Sequence, residues 1–485
     1  MPELRAGVAV TGRRGLLADR PPAPIDAGRP ARIAAALRRS PTTVLVVDDD
    51  PTGSQVVAGV PLVTSWSADD LRWALAHEAG VAFVLTNSRA LSEAEAEAIN
   101  RTVGERAQQV AASLGIRLEV ISRSDSLLRG HFPAEVLALD EGLRCGGAAP
   151  LDGIVLCPAY PEAGRITVDR RHWVRQRDGG HRPAAATEFA ADPVFAYDDS
   201  DLRAWATARG RGRWRSADVR EVGLDDLRRG GPERVAAILA TVSGGRPVVC
   251  DAADEEDLLV LAEGLARAEA RGRRFVTRSG PSFVAARSGR TVPPPCTGPI
   301  AEPGVAAGTL VVVGSHTALT SEQLARAQRR TGLRVLELDT VAVASSDNAA
   351  RREVHQLAAR AARALRTGDV AIATSRSLLT RRDPLADIRL KQRIAQAVVD
   401  VVRETVAATR PRAVVAKGGV TAHRVAAESL GARRAIVLGQ LLPGQVSVWR
   451  IESAAAAGLP YVVFPGNVGH ADALTAVLTR TKDRT

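Results

Sequence analysis

Short runs of β-branched and aliphatic residues recur along this chain, each followed by enough sequence for one helix. In the first half they are VLVV (44–47), VAFVL (81–85), LEVIS (118–122) and GIVLC (153–157). Runs without polar alternation are strands buried on both faces. The segments between them, 68–79, 91–113 and 133–143, carry helical periodicity, so the expected fold is a parallel sheet covered by helices. VVCD (248–251), a helix over 254–270 and RRFVT (273–277) continue the regime. After a break it resumes with LVVVG (310–314), VAIAT (370–374), AVVAK (413–417), AIVLG (435–439) and YVVFP (461–465).

The break is the stretch 287–308, which holds five prolines and no apolar period; it reads as a linker. Since 485 residues exceed one ordinary core, two domains follow. Residues 165–182 alternate around Asp178-Gly179-Gly180, a hairpin signature, and the protruding hairpin is a candidate homodimer contact. The expected class is α/β, with two Rossmann-like lobes of mainly parallel sheet, a β-hairpin extension on the first lobe and a cleft between lobes. The expected boundaries are a flexible tail over 1–40 ending in a short helix near 31–38, a first domain over 41–290, a linker over 291–308 and a second domain over 309–485.

The net charge of +11 raises the question of nucleic acid, and composition answers it. Lysine occurs only at Lys391, Lys417 and Lys482, so the positive charge is arginine dispersed through the whole chain, and aromatics are only 3%. Single-strand binders need aromatic platforms, so a small anionic substrate is expected instead. The four cysteines have no metal-ligand spacing and read as reduced thiols. No apolar run approaches the roughly 20 residues of a membrane span, and the N-terminus lacks the apolar core of a secretion signal. A cytoplasmic protein without a membrane partner is expected.

In parallel α/β sheets, ligands bind beyond the carboxyl ends of the strands. The unusual residues fall there. The first run ends in Asp48-Asp49-Asp50, the second in Asn87-Ser88-Arg89, and the third in Ser122-Arg123-Ser124-Asp125-Ser126 followed by Arg129-Gly130-His131. Three adjacent carboxylates cannot all be buried as anions without large cost, so they must face arginines, a cation or substrate hydroxyls. Arg89, Arg123 and Arg129 also suit a substrate carboxylate. Asp49, Asp50 and Asp125 are the candidate proton acceptors; Arg89, Arg123, Ser124, Asp125, Ser126, Arg129 and His131 are the candidate substrate contacts.

The second half offers three strand-to-glycine turns, at Gly314-Ser315-His316-Thr317, Lys417-Gly418-Gly419 and Pro465-Gly466-Asn467. Such turns bring backbone N–H groups to phosphate oxygens. Ser315, Lys417, Gly418, Gly419, Gly466 and Asn467 are therefore the candidate nucleotide contacts, and Thr320 with Gln323 reads as a capping box. Neither a P-loop nor a G-x-G-x-x-G motif is present. A carboxylate-rich lobe closing on a phosphate-binding lobe describes a small-molecule kinase.

Seven segments together resemble the four-carbon acid sugar kinase family: DDPTGSQ (49–55), LTNSRAL (85–91), SRSDSLLRGHFPAE (122–135), TEFAADPVFAY (187–197), VVGSHTALTSEQL (312–324), AKGGVTAHRVA (416–426) and YVVFPGNVG (461–469). The resemblance implies ATP-dependent phosphorylation of threonate, erythronate or 3-oxo-tetronate, with ATP and Mg2+ as cofactors and the metal ligands unassigned. It puts the substrate in the N-terminal domain and the nucleotide in the C-terminal one. Arg123 and Leu127 depart from the lysine and threonine usual there, and K-G-G-V-T-A from the usual glycine turn.

Two other readings compete. Asp48, Asp50 and Thr52 fit the D-x-D-x-T of a haloacid-dehalogenase-like phosphatase, but no lysine precedes Lys391 to complete that site. A non-catalytic sugar-acid binding protein would not need three phosphate-type turns.

Overall fold

The computed structural model describes residues 11–482 apart from 177, 299, 301–307, 376–378, 380–382 and 445. The chain divides into two compact units, Met1–Val292 and Pro293–Thr485.

The first unit is built on strands β1 (Thr42–Asp48), β2 (Val60–Val63), β3 (Val81–Leu85), β4 (Arg117–Arg123) and β5 (Gly153–Cys157). A separate antiparallel sheet follows, formed by β6 (Arg165–Val168), β7 (Arg171–Arg175) and β8 (His181–Pro183), before β9 (Arg220–Val222), β10 (Arg246–Cys250) and β11 (Phe275–Ser279) return to the main sheet. The main-sheet order is β2-β3-β1-β4-β11-β5-β10-β9, and every pairing within it is parallel. Register decides what meets at its edge. Asp48 is paired with Leu85 on one side and Arg123 on the other, and Arg278 with Ser122 and Leu156. The ends of β1, β3, β4 and β11 thus present their polar residues together.

Helices cover this sheet as the apolar runs require. The helix Glu93–Leu114 opens with a Ser92/Glu95 capping box and ends at Gly115 with φ 67°, a conformation glycine adopts freely. It crosses the helix Ala134–Cys145 so closely that a Cβ on Gly142 would lie 2.0 Å from the Arg101 carbonyl oxygen. No side chain fits there.

The expected hairpin is a three-stranded meander. Its first turn, Asp169-Arg170, has both residues left-handed (φ 52° and 64°), and the Asp251 carboxylate accepts both N–H groups at 2.9 and 2.8 Å. Ile166, Val168, His172 and Val174 are buried against the unit. The meander therefore packs down, leaving its outer residues Arg171 and Arg175 for any dimer contact.

Part of residues 11–40, expected to be a flexible tail, packs against the unit. The helix Arg29–Arg39 buries Ile33 and Leu37, an i, i+4 pair on one face, and Arg29 Nε donates to Glu263 at 3.1 Å. Residues 1–10 of that tail lie outside the described residues.

The second unit holds β12 (Leu310–Val313), β13 (Arg334–Leu338), β14 (Val370–Thr374), β15 (Val414–Lys417), β16 (Arg434–Leu442), β17 (Val446–Ile451) and β18 (Pro460–Phe464), in the order β13-β14-β12-β15-β18-β17-β16. The first five run parallel, while β17 pairs antiparallel with both neighbours. The proline stretch is partly anchored here, since Cys296 N–H donates to the Gln440 carbonyl at 2.7 Å; residues 301–307 lie outside the described residues. Among the described residues no helix is long and apolar enough to cross a membrane.

Candidate active site

The three consecutive aspartates have three different fates. Asp48, the last residue of β1, is paired with Arg123, whose Nε lies 2.8 Å from Asp48 Oδ1; burial nonetheless pushes the Asp48 carboxyl up to about 7. Asp50 caps the following turn by accepting the Thr52 N–H at 2.8 Å and pairs with Arg89. Asp49 lies between them, and both of its carboxylate oxygens are buried without a hydrogen-bond partner among the described residues. Two guanidiniums stand off at longer range, Arg123 at 3.4 Å and Arg89 at 3.8 Å.

Arg123 is fully committed. Besides Asp48 it donates to the Asp50 carbonyl at 2.6 Å, and its guanidinium lies over Gly53, where a Cβ would sit 2.5 Å from Cζ. Arg123, one of the arginines expected to hold the substrate acid, instead fastens the acidic turn to β4.

The 124–130 loop is held from β11 by a residue that sequence reasoning missed. Arg278 donates to Asp125 Oδ1 at 2.7 Å, to the Ser124 carbonyl at 3.1 Å and to the Arg129 carbonyl at 3.0 Å. Its guanidinium faces Phe132 and Trp205 at 5.3 and 5.0 Å from the ring centroids. The other work of Asp125 is to accept the N–H groups of Leu127 and Leu128, each at 3.1 Å, which holds two successive leucines left-handed (φ 58° and 63°). Such a pair is strained, and the carboxylate offsets the strain. Asp125 thereby shapes the loop, with three donors of the chain on its carboxylate.

Ser124 is buried, its hydroxyl 2.9 Å from that of Ser122. Arg129 donates to the Ser126 carbonyl and hydroxyl at 3.0 and 3.1 Å and to Asp192 at 3.1 Å. The Nε2 of His131 meets the Leu91 carbonyl at 3.1 Å. Gly130, at φ 123°, runs close beside the loop, where a Cβ would lie 2.5 Å from the Ser124 carbonyl oxygen and 3.7 Å from Asp49 Oδ2. Behind this surface Glu135 accepts from Ser88 and, at 3.4 Å, from Asn100; burial, reinforced by Asp49, pushes its carboxyl up to about 7.

In the second unit the three glycine turns meet. A Cβ on Gly466 would fall 2.5 Å from Ser315 Oγ, and one on Gly314 would fall 2.0 Å from Thr421 Oγ1. Gly418 has φ 115° and precedes Gly419, which opens the helix Gly419–Arg424. The hydroxyls of Thr317 and Thr320 donate to the Gly466 carbonyl at 2.9 and 2.8 Å. Asn467 is exposed at the tip of its turn. The helix beginning at Ala318 is capped by Thr317, which accepts the Thr320 N–H at 3.2 Å. Gln323, expected in a capping box, donates instead to the Val468 and His470 carbonyls at 3.1 and 2.9 Å, so its amide ties the last turn to this helix.

Lys417 was expected to meet phosphate. It is fully buried, donates to the Pro465 carbonyl at 3.1 Å and lies 3.6 Å from the centroid of the Phe464 ring. Burial lowers its amine to about 7. Its direct partner is the turn itself. Beside Gly314, a cavity of about 260 Å³ opens between the sheet and the helix Pro384–Ala408, lined by His316, Thr374, Ile394, Val398 and Val425 among others. It is mostly apolar with a few polar groups, as small-molecule sites are, and the helix periodicity gave no warning of it.

Residues 44–287 match the family described as a sugar-binding N-terminal domain, and residues 310–474 the one described as a nucleotide-binding C-terminal domain. A D-threonate kinase of Bordetella bronchiseptica is 27% identical over 448 residues, covering 90% of this chain and 97% of that protein. A D-erythronate kinase of Heliobacterium modesticaldum is 30% identical over 243 residues, covering 50% and 48%. The crystal structure of a Haemophilus influenzae protein shares the fold at 19% identity, with a TM-score of 0.60, and covers 90% of this chain and 100% of that one. The paired domain matches cover most of the chain, carboxylates and arginines gather in one domain while glycine turns gather in the other, and the chain belongs to the four-carbon acid sugar kinase family.

Proposed function

We propose that this protein transfers the γ-phosphoryl group of ATP to the terminal hydroxyl of a four-carbon sugar acid of the threonate, erythronate or 3-oxo-tetronate type. The observation that carries the reading is Asp49, a buried carboxylate at a strand end whose two oxygens lack hydrogen-bond donors among the described residues. An unsatisfied buried carboxylate is costly, and a polyol supplies the missing O–H donors. Asp49 then orients the hydroxyl and accepts its proton, a role for which an acceptor must lie within hydrogen-bond reach. Arg89, whose side chain is 20% exposed, remains on the open side to attract the acid.

The second domain supports the nucleotide half of the reading. Gly314, Gly418 and Gly466 keep side chains away from a surface of backbone and hydroxyl groups around Ser315, the kind of surface that accommodates phosphates. The adjoining apolar cavity suits a nucleobase. Lys417 acts on this surface through Pro465, as a positioning residue. Magnesium would enter with the nucleotide, since no cluster of three or more His, Cys, Asp or Glu able to hold an ion occurs among the described residues. When bound it neutralises phosphate charge. The proposed location is the cytoplasm, where ATP is supplied.

The test is a coupled ADP-release screen over C4 sugar acids and their neighbours with ATP and magnesium. Turnover with one or more C4 acids supports the proposal, and its absence across the whole panel overturns it. Release of phosphate from a sugar phosphate without ATP would favour the phosphatase reading instead.

A further inference from the structure

The arginines around the acidic turn are already matched by carboxylates of the chain: Arg89 by Asp50, Arg123 by Asp48, Arg129 by Asp192 and Arg278 by Asp125. Arg165 differs from all four. It opens β6 just past the Tyr160–Gly164 turn, where Tyr160 and Arg165 exchange backbone hydrogen bonds at 2.8 and 3.0 Å. The Tyr160 hydroxyl accepts from Gln55 Nε2 at 3.1 Å, and Gln55 belongs to the short helical turn Pro51–Val56 that follows the three aspartates. The start of β6 is thereby tied to the acidic turn.

Arg165 is half-buried, and among the described residues its guanidinium makes no hydrogen bond or ion pair. The charged and titratable groups that interact with it include Asp125, Tyr160, Arg129, Tyr197 and His172, and burial draws its pKa below the ordinary range. Asp125, the one carboxylate among them, accepts from Leu127, Leu128 and Arg278 and makes no ion pair with Arg165. A recessed guanidinium without a counter-charge is destabilising unless something supplies the anion.

We propose that Arg165 receives the carboxylate of the sugar acid and is the residue by which the site prefers acids to the corresponding neutral polyols. The planar fork of a guanidinium matches a carboxylate with two parallel N–H···O bonds, and Arg165 has that fork uncommitted. The inference rests on the kinase reading and deepens it, by separating the group that fixes the acid from the groups that handle the hydroxyl.

Steady-state kinetics of the wild type, Arg165→Met and Arg165→Lys with the best acid of the screen provide the test. Arg165→Met is expected to raise the KM for the acid about 10- to 100-fold, the range set by losing a charge-assisted hydrogen bond, with the KM for ATP unchanged. It should also erase the preference for the acid over threitol or erythritol. Arg165→Lys, which keeps the charge and loses the fork, should fall between. A Met variant with the wild-type KM and the wild-type preference overturns the assignment. The wild type supplies a second readout that needs no variant to fold: phenylglyoxal labelling followed by mass spectrometry. Saturating acid should shield Arg165 while leaving the exposed Arg215 reactive, and undiminished labelling of Arg165 overturns the assignment. A wild type that turns over no sugar acid defeats the kinase reading itself, whereas a working wild type with an indifferent Arg165→Met defeats only the role of Arg165.

Discussion

Arg278 Nη1 lies 2.7 Å from Asp125 Oδ1, and both side chains are 2% exposed. The pair spans 153 residues of sequence and joins β11 to a loop whose two leucines are left-handed. Removing one partner of a buried pair leaves an unpaired charge, typically at a cost of about 3–5 kcal/mol. Arg278→Met and Asp125→Asn are therefore expected to lose stability on that scale in urea denaturation, with the double variant losing less than the sum. Asp125→Asn keeping wild-type stability while losing turnover would return Asp125 to the role of proton acceptor.

Asp49 should behave in the opposite way. Its carboxylate has no hydrogen-bond donor to lose, and Arg123 and Arg89 each keep a second carboxylate partner. Asp49→Asn is expected to reduce kcat about 100-fold or more while leaving the melting temperature equal to or above that of the wild type. Such a trade of stability for function is what an unsatisfied catalytic group implies. A destabilised Asp49→Asn, or one with near-normal turnover, would remove Asp49 from the mechanism.

Much of this was legible in the sequence, because strand-end position and residue type are local properties. VLVV followed by three aspartates placed β1 and its acidic turn, and TNSR placed Arg89. Tertiary pairing was not legible. Whether Arg123 faces a substrate or Asp48 depends on the register of β1 against β4, and Arg278 stands one residue past the RRFVT run that announced its strand. Lys417 looked like a phosphate ligand from its place before two glycines, yet the side chain of a strand's last residue can turn back under the sheet, and here it meets Phe464 and Pro465. The antiparallel β16–β17 pair escaped for a related reason, since an apolar run such as AIVLG does not disclose the direction of its neighbour.

Glu135 gives the first unit a pH signature. Burial raises its folded pKa from 4.5 to about 7. Between those values the folded state binds the proton and the unfolded state does not, so stability is fully present below pH 4.5 and is lost as pH rises through about 7. Asp48, raised from 3.8 to about 7 by burial, acts in the same direction. Denaturation midpoints should fall between pH 5.5 and 8, and Glu135→Gln should flatten part of that slope while keeping the hydrogen bond from Ser88. An unchanged slope in Glu135→Gln would mean that Glu135 is ionised throughout.

Gly466 tests the nucleotide surface without touching charge. Gly466→Ala would bring a Cβ to 2.5 Å from Ser315 Oγ and 2.9 Å from Ser315 Cβ, so Ser315 or the turn must move. Overpacking of this kind typically costs about 1–3 kcal/mol, and the expected signature is a raised KM for ATP with the KM for the acid unaltered. If both constants stay at wild-type values, the turn has no part in holding nucleotide.

Lys417 predicts the reverse pH sign in the second unit. Its folded pKa is lowered from 10.5 to about 7 by burial, so between those values the unfolded state binds the proton and the folded state does not. Its cost to stability is therefore largest below about pH 7 and fades as pH rises toward 10.5. Lys417→Met removes that cost together with the hydrogen bond to the Pro465 carbonyl. Relative to the wild type, the variant is expected to be most stable at pH 6 and to lose its advantage by pH 9.5, while its KM for ATP rises because the Pro465–Gly466 turn is no longer held. A stability difference independent of pH would show that Lys417 stays protonated in the folded protein, and an unchanged KM for ATP would separate it from nucleotide binding.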